Sequence, residues 1–254
     1  MNGIDTRELA GRLRTIESVA VISRVVSTNL IARRVVDECV ENDLQLPSVV
    51  IVAREQLEGR GRLSRTWHSP RDKGIWITAI HTRPTEQIGL VPLEVGAIVA
   101  EFLRDIYGID ARVKWPNDIV VDGRKLAGIL IEARQRDDDS TGLIIGVGIN
   151  VEPMGAEVPS ATSISEASER DIDLDAATVA FIERLDERLS SPPDPGAIIA
   201  RWRELSVHRK GDPVSCSLPR GTVKGEWEGI DDDGRALVRS EGRTMAISAG
   251  DVEP

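Results

Sequence analysis

The chain has 254 residues and a formal net charge of −10, from 42 acidic against 32 basic side chains. It is long enough for one sizeable domain plus a small one, and its overall field would repel nucleic acid and anionic membranes. The two cysteines, Cys39 and Cys216, show no metal-ligand spacing and predict reduced thiols in a cytoplasmic setting, and no stretch approaches the roughly 20 apolar residues of a membrane span.

Leu9, Leu13 and Ile16 fall at helical spacing and predict a short helix and connector over residues 1–20. A winged helix-turn-helix needs more chain than this, so no DNA-binding unit is expected ahead of residue 21. Val19–Val26 reads as a strand. Ser27, Thr28 and Asn29 then offer N-cap side chains before an apolar stripe of Ala32, Val35, Val36, Cys39 and Val40. A helix N-terminus at a strand end also suits a polar ligand group, and both readings hold at once. Ser48–Ala53, β-branched and continuously apolar, predicts a buried strand that delivers Gln56 to its far end.

The stretch Glu55–Trp76 is the most informative. Gly59 and Gly61 alternate with Arg60 and Arg62, followed by Arg65, Trp67 and a Ser69-Pro70 turn. Between Arg54 and Lys73 there are six basic residues against three acidic ones, a positive island in an acidic chain. Glycines let backbone approach a ligand, and guanidinium forks grip carboxylate and phosphate oxygens in pairs. The pattern suits a small anion; a solvated arginine-rich loop is the plain alternative. Trp67, beside Arg65, is expected to be exposed and to stack on a flat ring, with a core or edge aromatic as the other reading.

Further along, Gly74–His81 reads as a strand, and Leu90–Tyr107 as a helix, apolar nearly all round, that ends at Gly108. Ala111–Trp115 and Ile119–Val121 predict strands around a Pro116-Asn117 turn, with a tight hairpin at Asp122-Gly123. Lys125, one of only five lysines, opens an apolar strand. That placement costs solvation unless the ammonium meets an anion or snorkels to the strand end. Gly128, Gly146 and Gly148 sit inside strands, where glycine marks close approach; Gly146 and Gly148 share a face and predict a flat floor for an apolar ring system. Asp171–Asp175 begins a helix with a stripe of Thr178, Phe181, Ile182, Leu185 and Leu189, which Ser191–Gly196 breaks before a second helix carrying Ile198, Ile199, Trp202 and Leu205. From Gly211 short alternating strands follow, with turns at Pro219-Arg220-Gly221 and Asp232-Asp233-Gly234. There is no phosphate loop of the GxxxxGK[ST] type, no His/Cys cluster with metal spacing, and none of the three histidines stands beside a nucleophile. Hydrolase chemistry is disfavoured.

The order GRGR, W-x-SP, KWPND, RKLAGIL, GxGIN, running from about Ser27 to the end of the chain, resembles the biotin protein ligases, in the form lacking an N-terminal DNA-binding domain. The resemblance implies an α+β fold. A mixed, largely antiparallel sheet packed with helices, as in class II aminoacyl-tRNA synthetases, would be followed by a small SH3-like β-barrel, with a leader over 1–20, a catalytic domain over 21–208 and a C-terminal domain over 209–254. It implies activation of biotin with ATP as biotinyl-5′-AMP and transfer to a lysine of a biotin carboxyl carrier protein. It places Ser27, Thr28, Asn29, Gln56, Arg60, Gly61, Arg62, Lys125, Gly128, Gly146 and Gly148 at biotin. At the nucleotide it places Arg62, Arg65, Trp67, Lys114, Asn117, Lys125 and Asn150. Arg60, Arg62 and Lys125 would neutralise the reacting anions together with Mg²⁺ held on the phosphates, and Asp118 would support the metal or orient Lys114. Relatives often form homodimers through a sheet edge; neither DNA nor membrane is an expected partner. Asp72 stands where a glycine is common and Leu57 where a small polar residue is common, which bears on the shape of the loop. Lipoate or octanoate attachment, on a related fold, and a non-catalytic biotin sensor are the alternatives.

Overall fold

The computed structural model describes residues 3–218 and 221–253. Helix α1 (Thr6–Arg12) is capped by the Asp5 carboxylate, which accepts from the Arg7 and Glu8 N–H groups. There follow β1 (Ser18–Ile22), α2 (Thr28–Glu41), β2 (Val49–Ala53), β3 (Gly74–Pro84), α3 (Val91–Tyr107), β4 (Arg112–Lys114), β5 (Asp118–Val121), β6 (Arg124–Gln135) and β7 (Ser140–Asn150). Then come α4 (Ile164–Ser168), α5 (Leu174–Leu189), α6 (Pro195–Leu205), β8 (Pro213–Leu218), β9 (Gly221–Ile230), β10 (Ala236–Ser240), β11 (Arg243–Ile247) and β12 (Asp251–Glu253).

The first seven strands form one sheet in the order β1-β2-β3-β7-β6-β5-β4. Its β1/β2 pair is parallel and its other pairs are antiparallel, so the expected mixed, largely antiparallel sheet is present. Alternation sorts its side chains onto two faces. Ile51, Ile80 and Ile144 pack under α2 with Ala32 and Val36, while Val50, Val52, Ile77, Ala79, Ile145 and Val147 join the main core with α3. Helix α3 is buried almost throughout from Val91 to Leu103 because α5 and α6 cover the side turned away from the sheet. It ends at Gly108 in the left-handed region, φ 70°. The core also encloses partnered polar groups: Arg83 makes a fork to Glu94 at 2.6 and 3.1 Å, and Asp186 accepts from the N–H groups of Arg14, Thr15 and Ile16.

The last five strands form an antiparallel sheet, β11-β10-β9-β8-β12, docked on the first unit through aromatic contacts. Trp227 lies 6.5 Å from Trp202 and 4.8 Å from His208, centroid to centroid, and Trp115 Nε1 donates to the Gly234 carbonyl at 3.1 Å. Burial, with Lys114 nearby, pushes the His208 imidazole down to about 4, so it packs there as a neutral ring.

Several boundaries differ from the sequence reading. The strand expected over Val19–Val26 stops at Ile22, after which Val25 makes a lone bridge to Gln56. Strands β3, β6 and β7 run further than their apolar segments because their outer ends pair through polar residues such as Arg83, Arg134 and Thr141. Helix α4 was not anticipated; its five residues, capped by Ser163, are too few to show a period. The turn expected at Pro219-Arg220-Gly221 falls on two residues, 219 and 220, outside the described ones.

Candidate active site

Where the apolar layer under α2 runs out toward the helix N-terminus, the same face of the sheet becomes polar and a cavity opens. Asn29, Ala32 and Val36 share one stripe of α2, so the side chain one turn before the aliphatic contact meets the sheet as an amide. Thr78 of β3, in step with buried Ile80, supplies the matching polar group on the sheet. Its hydroxyl lies 2.7 Å from both Thr28 Oγ1 and Asn29 Oδ1. The Thr28 N–H and hydroxyl donate to Gln56 Oε1 at 2.9 and 3.1 Å, and Gln56 Nε2 donates to Ser69 Oγ at 2.9 Å. Asn29 Nδ2 reaches the Leu130 carbonyl and Glu132 at 3.4 and 3.3 Å. Ser27 is buried and lines the cavity, but its side chain makes no capping bond to α2. The capping reading of Ser27, Thr28 and Asn29 is therefore corrected: these side chains face the cavity and its network.

The three strand glycines are explained by what crosses them. A methyl group on Gly146 would sit 2.1 Å from Asn29 Oδ1, one on Gly148 2.4 Å from Trp67 Nε1, and one on Gly128 2.9 Å from the Trp67 ring. Gly128 and Gly148 are register partners, so the floor anticipated for a ligand lies under Trp67 and Asn29. Trp67 is accordingly half-buried inside the cavity instead of exposed. It stands edge-on to Trp76, centroids 6.4 Å apart, with a buried Nε1 that has no hydrogen-bond partner among the described residues.

The arginine stretch forms a tight hairpin. The Trp67 N–H donates to the Gly59 carbonyl and the Gly61 N–H to the Arg65 carbonyl, both at 2.8 Å. A Cβ at Gly59 would lie 2.3 Å from the Trp67 carbonyl oxygen, so the hairpin's own closure requires that glycine. The left-handed backbone falls on Leu63 (φ 53°) and Ser64 (φ 60°) and not on Gly59 or Gly61.

Every cation in the cavity faces a carboxylate. Lys125 Nζ is 2.6 Å from Asp118 Oδ1 and 5.1 Å from the centre of the Trp67 ring. Arg60 lies 4.0 Å from Glu132. Arg65 is 2.5 Å from Asp251, and Arg62 donates to Asn117 Oδ1 at 3.2 Å and to the Gly250 carbonyl at 3.3 Å, with Asp251 4.0 Å away. Burial pulls the Arg62 guanidinium below its ordinary value, and Asp251 and Asp118 oppose that shift. The Lys125 backbone is pinned on both sides: its N–H donates to the Ser160 carbonyl and its carbonyl accepts from Thr162.

The cavity thus gathers Ser27, Thr28, Asn29, Gln56, Arg60, Gly61, Arg62, Arg65, Trp67, Asn117, Asp118, Lys125, Gly128, Gly146 and Gly148. Two predicted residues stay outside it. Lys114 pairs with Glu253 at 2.7 Å, and the Asn150 amide donates to the Thr162 carbonyl at 3.0 Å, tying β7 to the segment before α4. Asp118 is positioned to orient Lys125, not Lys114. Sequence reasoning missed Thr78, Glu132 and Asp251. Thr78 had a signal, as the hydroxyl within an otherwise apolar strand; Asp251 had none, because it arrives from the other sheet. The arrangement offers one mainly polar cavity in which amide and hydroxyl groups, the Trp67 ring, a few aliphatic side chains and four cations meet. Such a lining can hydrogen-bond a polar group and neutralise anions in the same cavity.

The profile of the Biotin/lipoate A/B protein ligase family matches residues 23–150, and that of the Biotin protein ligase C terminal domain matches residues 211–253. The bifunctional ligase/repressor BirA of Bacillus subtilis is 31% identical over 216 residues, covering 80% of this chain, which spans 65% of that relative's length. The biotin–acetyl-CoA-carboxylase ligase of Mycobacterium tuberculosis is 31% identical over 246 residues, covering 91% of this chain and 87% of its own. Among solved structures, the biotin protein ligase from Aquifex aeolicus in complex with biotin and ATP superposes with a TM-score of 0.75 at 26% identity, over 92% of this chain and 97% of that one.

Proposed function

The chain belongs to the biotin/lipoate A/B protein ligase family, and from that premise we propose that it joins biotin to a lysine of a biotin carboxyl carrier protein at the expense of ATP. In the first step a biotin carboxylate oxygen attacks the α-phosphorus of ATP; the bond to the bridging oxygen breaks and pyrophosphate leaves. In the second, the carrier lysine amine attacks the acyl carbon, AMP departs and the amine gives up a proton. Neither step needs a protein nucleophile. The barrier lies in bringing two anions together and in the charge that builds on phosphorus. The observation that carries the reading is that Arg60, Arg62, Arg65 and Lys125 line the same cavity as Thr28, Asn29 and Gln56, whose side chains are held by a network that includes Thr78.

In this reading the polar network receives the ureido ring, Trp67 moves aside to stack on a ring of the substrates, and Lys125 lies between carboxylate and phosphate. Mg²⁺ would supply further charge neutralisation on the phosphates. Among the described residues no group of three or more carboxylate, histidine or cysteine side chains forms a metal cage, and Asp118 is engaged with Lys125, which favours a metal held mainly by the nucleotide. We assign residues 21–208 to the catalytic domain and 209–254 to the C-terminal domain, and place the reaction in the cytoplasm, with the carrier protein as the macromolecular partner. The acidic balance argues against DNA, and a homodimer would join at a sheet edge.

The test is pyrophosphate exchange with labelled pyrophosphate, ATP and either biotin or lipoate. Biotin-dependent exchange is expected. Exchange with lipoate alone would identify a lipoate ligase, and none with either acid a binding protein.

A variant probes retention of the intermediate. Arg62→Gly removes one charge-assisted contact, worth roughly 1.5 to 3 kcal/mol, which corresponds to roughly 10- to 100-fold weaker hold on the adenylate. The variant should still form adenylate and release it, labelling lysines of an unrelated protein; no bystander labelling would take Arg62 out of the retention role.

A further inference from the structure

The second sheet reaches into the cavity through β12. Val252 is fully buried, so alternation turns Asp251 and Glu253 to the opposite side of the strand. Both carboxylates meet cations of the first unit: Asp251 faces Arg65 at 2.5 Å and Arg62 at 4.0 Å, and Glu253 faces Lys114 at 2.7 Å. The strand is fixed in place. Its three residues pair with β8, and Gly250, with φ 143°, has no room for a Cβ, which would lie 2.6 Å from the Ser217 carbonyl oxygen. The Gly250 carbonyl itself accepts from Arg62.

We infer that Asp251 is a positioning residue that holds Arg62 and Arg65 on the second sheet and competes with the nucleotide phosphates for them, an inference that rests on the ligase reading above. Two effects act in the same direction. A guanidinium engaged with Asp251 must release it to turn its fork toward a phosphate, and the Asp251 carboxylate, part of the cavity wall, repels a polyphosphate until a cation lies between them. Arg62 is poorly solvated, so it needs a counter-ion in either position; Asp251 supplies one before the phosphate does. Nucleotide binding then includes a handover of both arginines, and the hairpin they belong to is tethered to the second sheet before that handover and released by it.

The variant Asp251→Asn keeps the shape and one acceptor oxygen and removes the charge. In the full-length protein it should bind ATP about 10-fold more tightly by calorimetry, the scale of one charge-assisted contact, with KM for ATP lowered and kcat little changed. The gain should shrink in an Arg65→Gln background, where competition for that guanidinium is gone and only the hold on Arg62 and the repulsion of phosphate remain. Unchanged or weaker ATP binding by the folded Asn variant would overturn the proposal. A second measurement needs no nucleotide: trypsin should cut the hairpin faster in the Asn variant than in the wild type. Equal cleavage would overturn the tether even if the protein proves not to be a ligase, whereas a wild type that binds neither ATP nor biotin would overturn the ligase reading instead.

Discussion

Replacing Lys125 with alanine is expected to lower biotin-dependent pyrophosphate exchange by about 100- to 1,000-fold, the scale on which a preorganised donor to a developing anion acts, while the protein remains folded. The ammonium is preorganised because the backbone on either side of it is bonded to residues 160 and 162, which fixes where the side chain starts. Its resting partner is Asp118, at 2.6 Å. Both side chains are partly exposed, 36% and 25%, so losing that pair costs the fold little, on the order of 1 kcal/mol or less. The loss in the transition state is larger, because there the charge acts in a site from which substrates have displaced water. Exchange assays paired with thermal melting separate the two effects. A folded Lys125→Ala protein with near-normal exchange would remove Lys125 from the chemistry.

The other large effect is expected at Gly146. Alanine there places a carbon 2.1 Å from Asn29 Oδ1. Asn29 cannot yield freely, since its oxygen is bonded to Thr78 and its nitrogen faces the Leu130 carbonyl and Glu132. Relieving such a clash costs about 1 to 3 kcal/mol and falls on the polar network proposed to receive the ring of biotin. Biotin affinity should therefore drop by roughly 5- to 150-fold, measured by calorimetry, with a melting temperature a few degrees lower. Unaltered biotin affinity in Gly146→Ala would mean that the ring binds elsewhere.

How far the sequence reached depended on whether a feature was local. Helix α3 and its glycine stop, the KWPND hairpin and the strand glycines were legible because periodicity and turn chemistry are written in neighbouring residues. Of the expected cations, Arg60, Arg62, Arg65 and Lys125 line one cavity and Lys114 does not; the first four stand near glycines or open an apolar strand, a local signal that Lys114 lacks. The partners of these cations were not legible. Asp251 is distant in sequence from Arg62 and Arg65, Glu253 from Lys114, and Asn150 looked like a nucleotide ligand until its amide was seen bonded to the Thr162 carbonyl. Trp67 misled for the same reason: a tryptophan in a polar loop reads as exposed, and only the two glycines on adjacent strands, Gly128 and Gly148, make the hollow that takes it in. Ser27 shows the limit of capping signals, since a side chain suited to the helix end points to the cavity instead.

Two of the kinds of contact that join the sheets differ in their response to salt. Trp227 against Trp202 and His208 is aromatic packing between neutral groups, which dissolved ions barely affect. The ties of β12 are ionic, and Arg65 is 64% exposed. At physiological ionic strength charges are screened over about 8 Å, and at molar salt over about 3 Å. Added salt therefore works on the second kind and spares the first. It should slacken the arginine hairpin while the sheets stay docked, so that, on the ligase reading, nucleotide affinity is expected to change with ionic strength without a matching change in melting temperature.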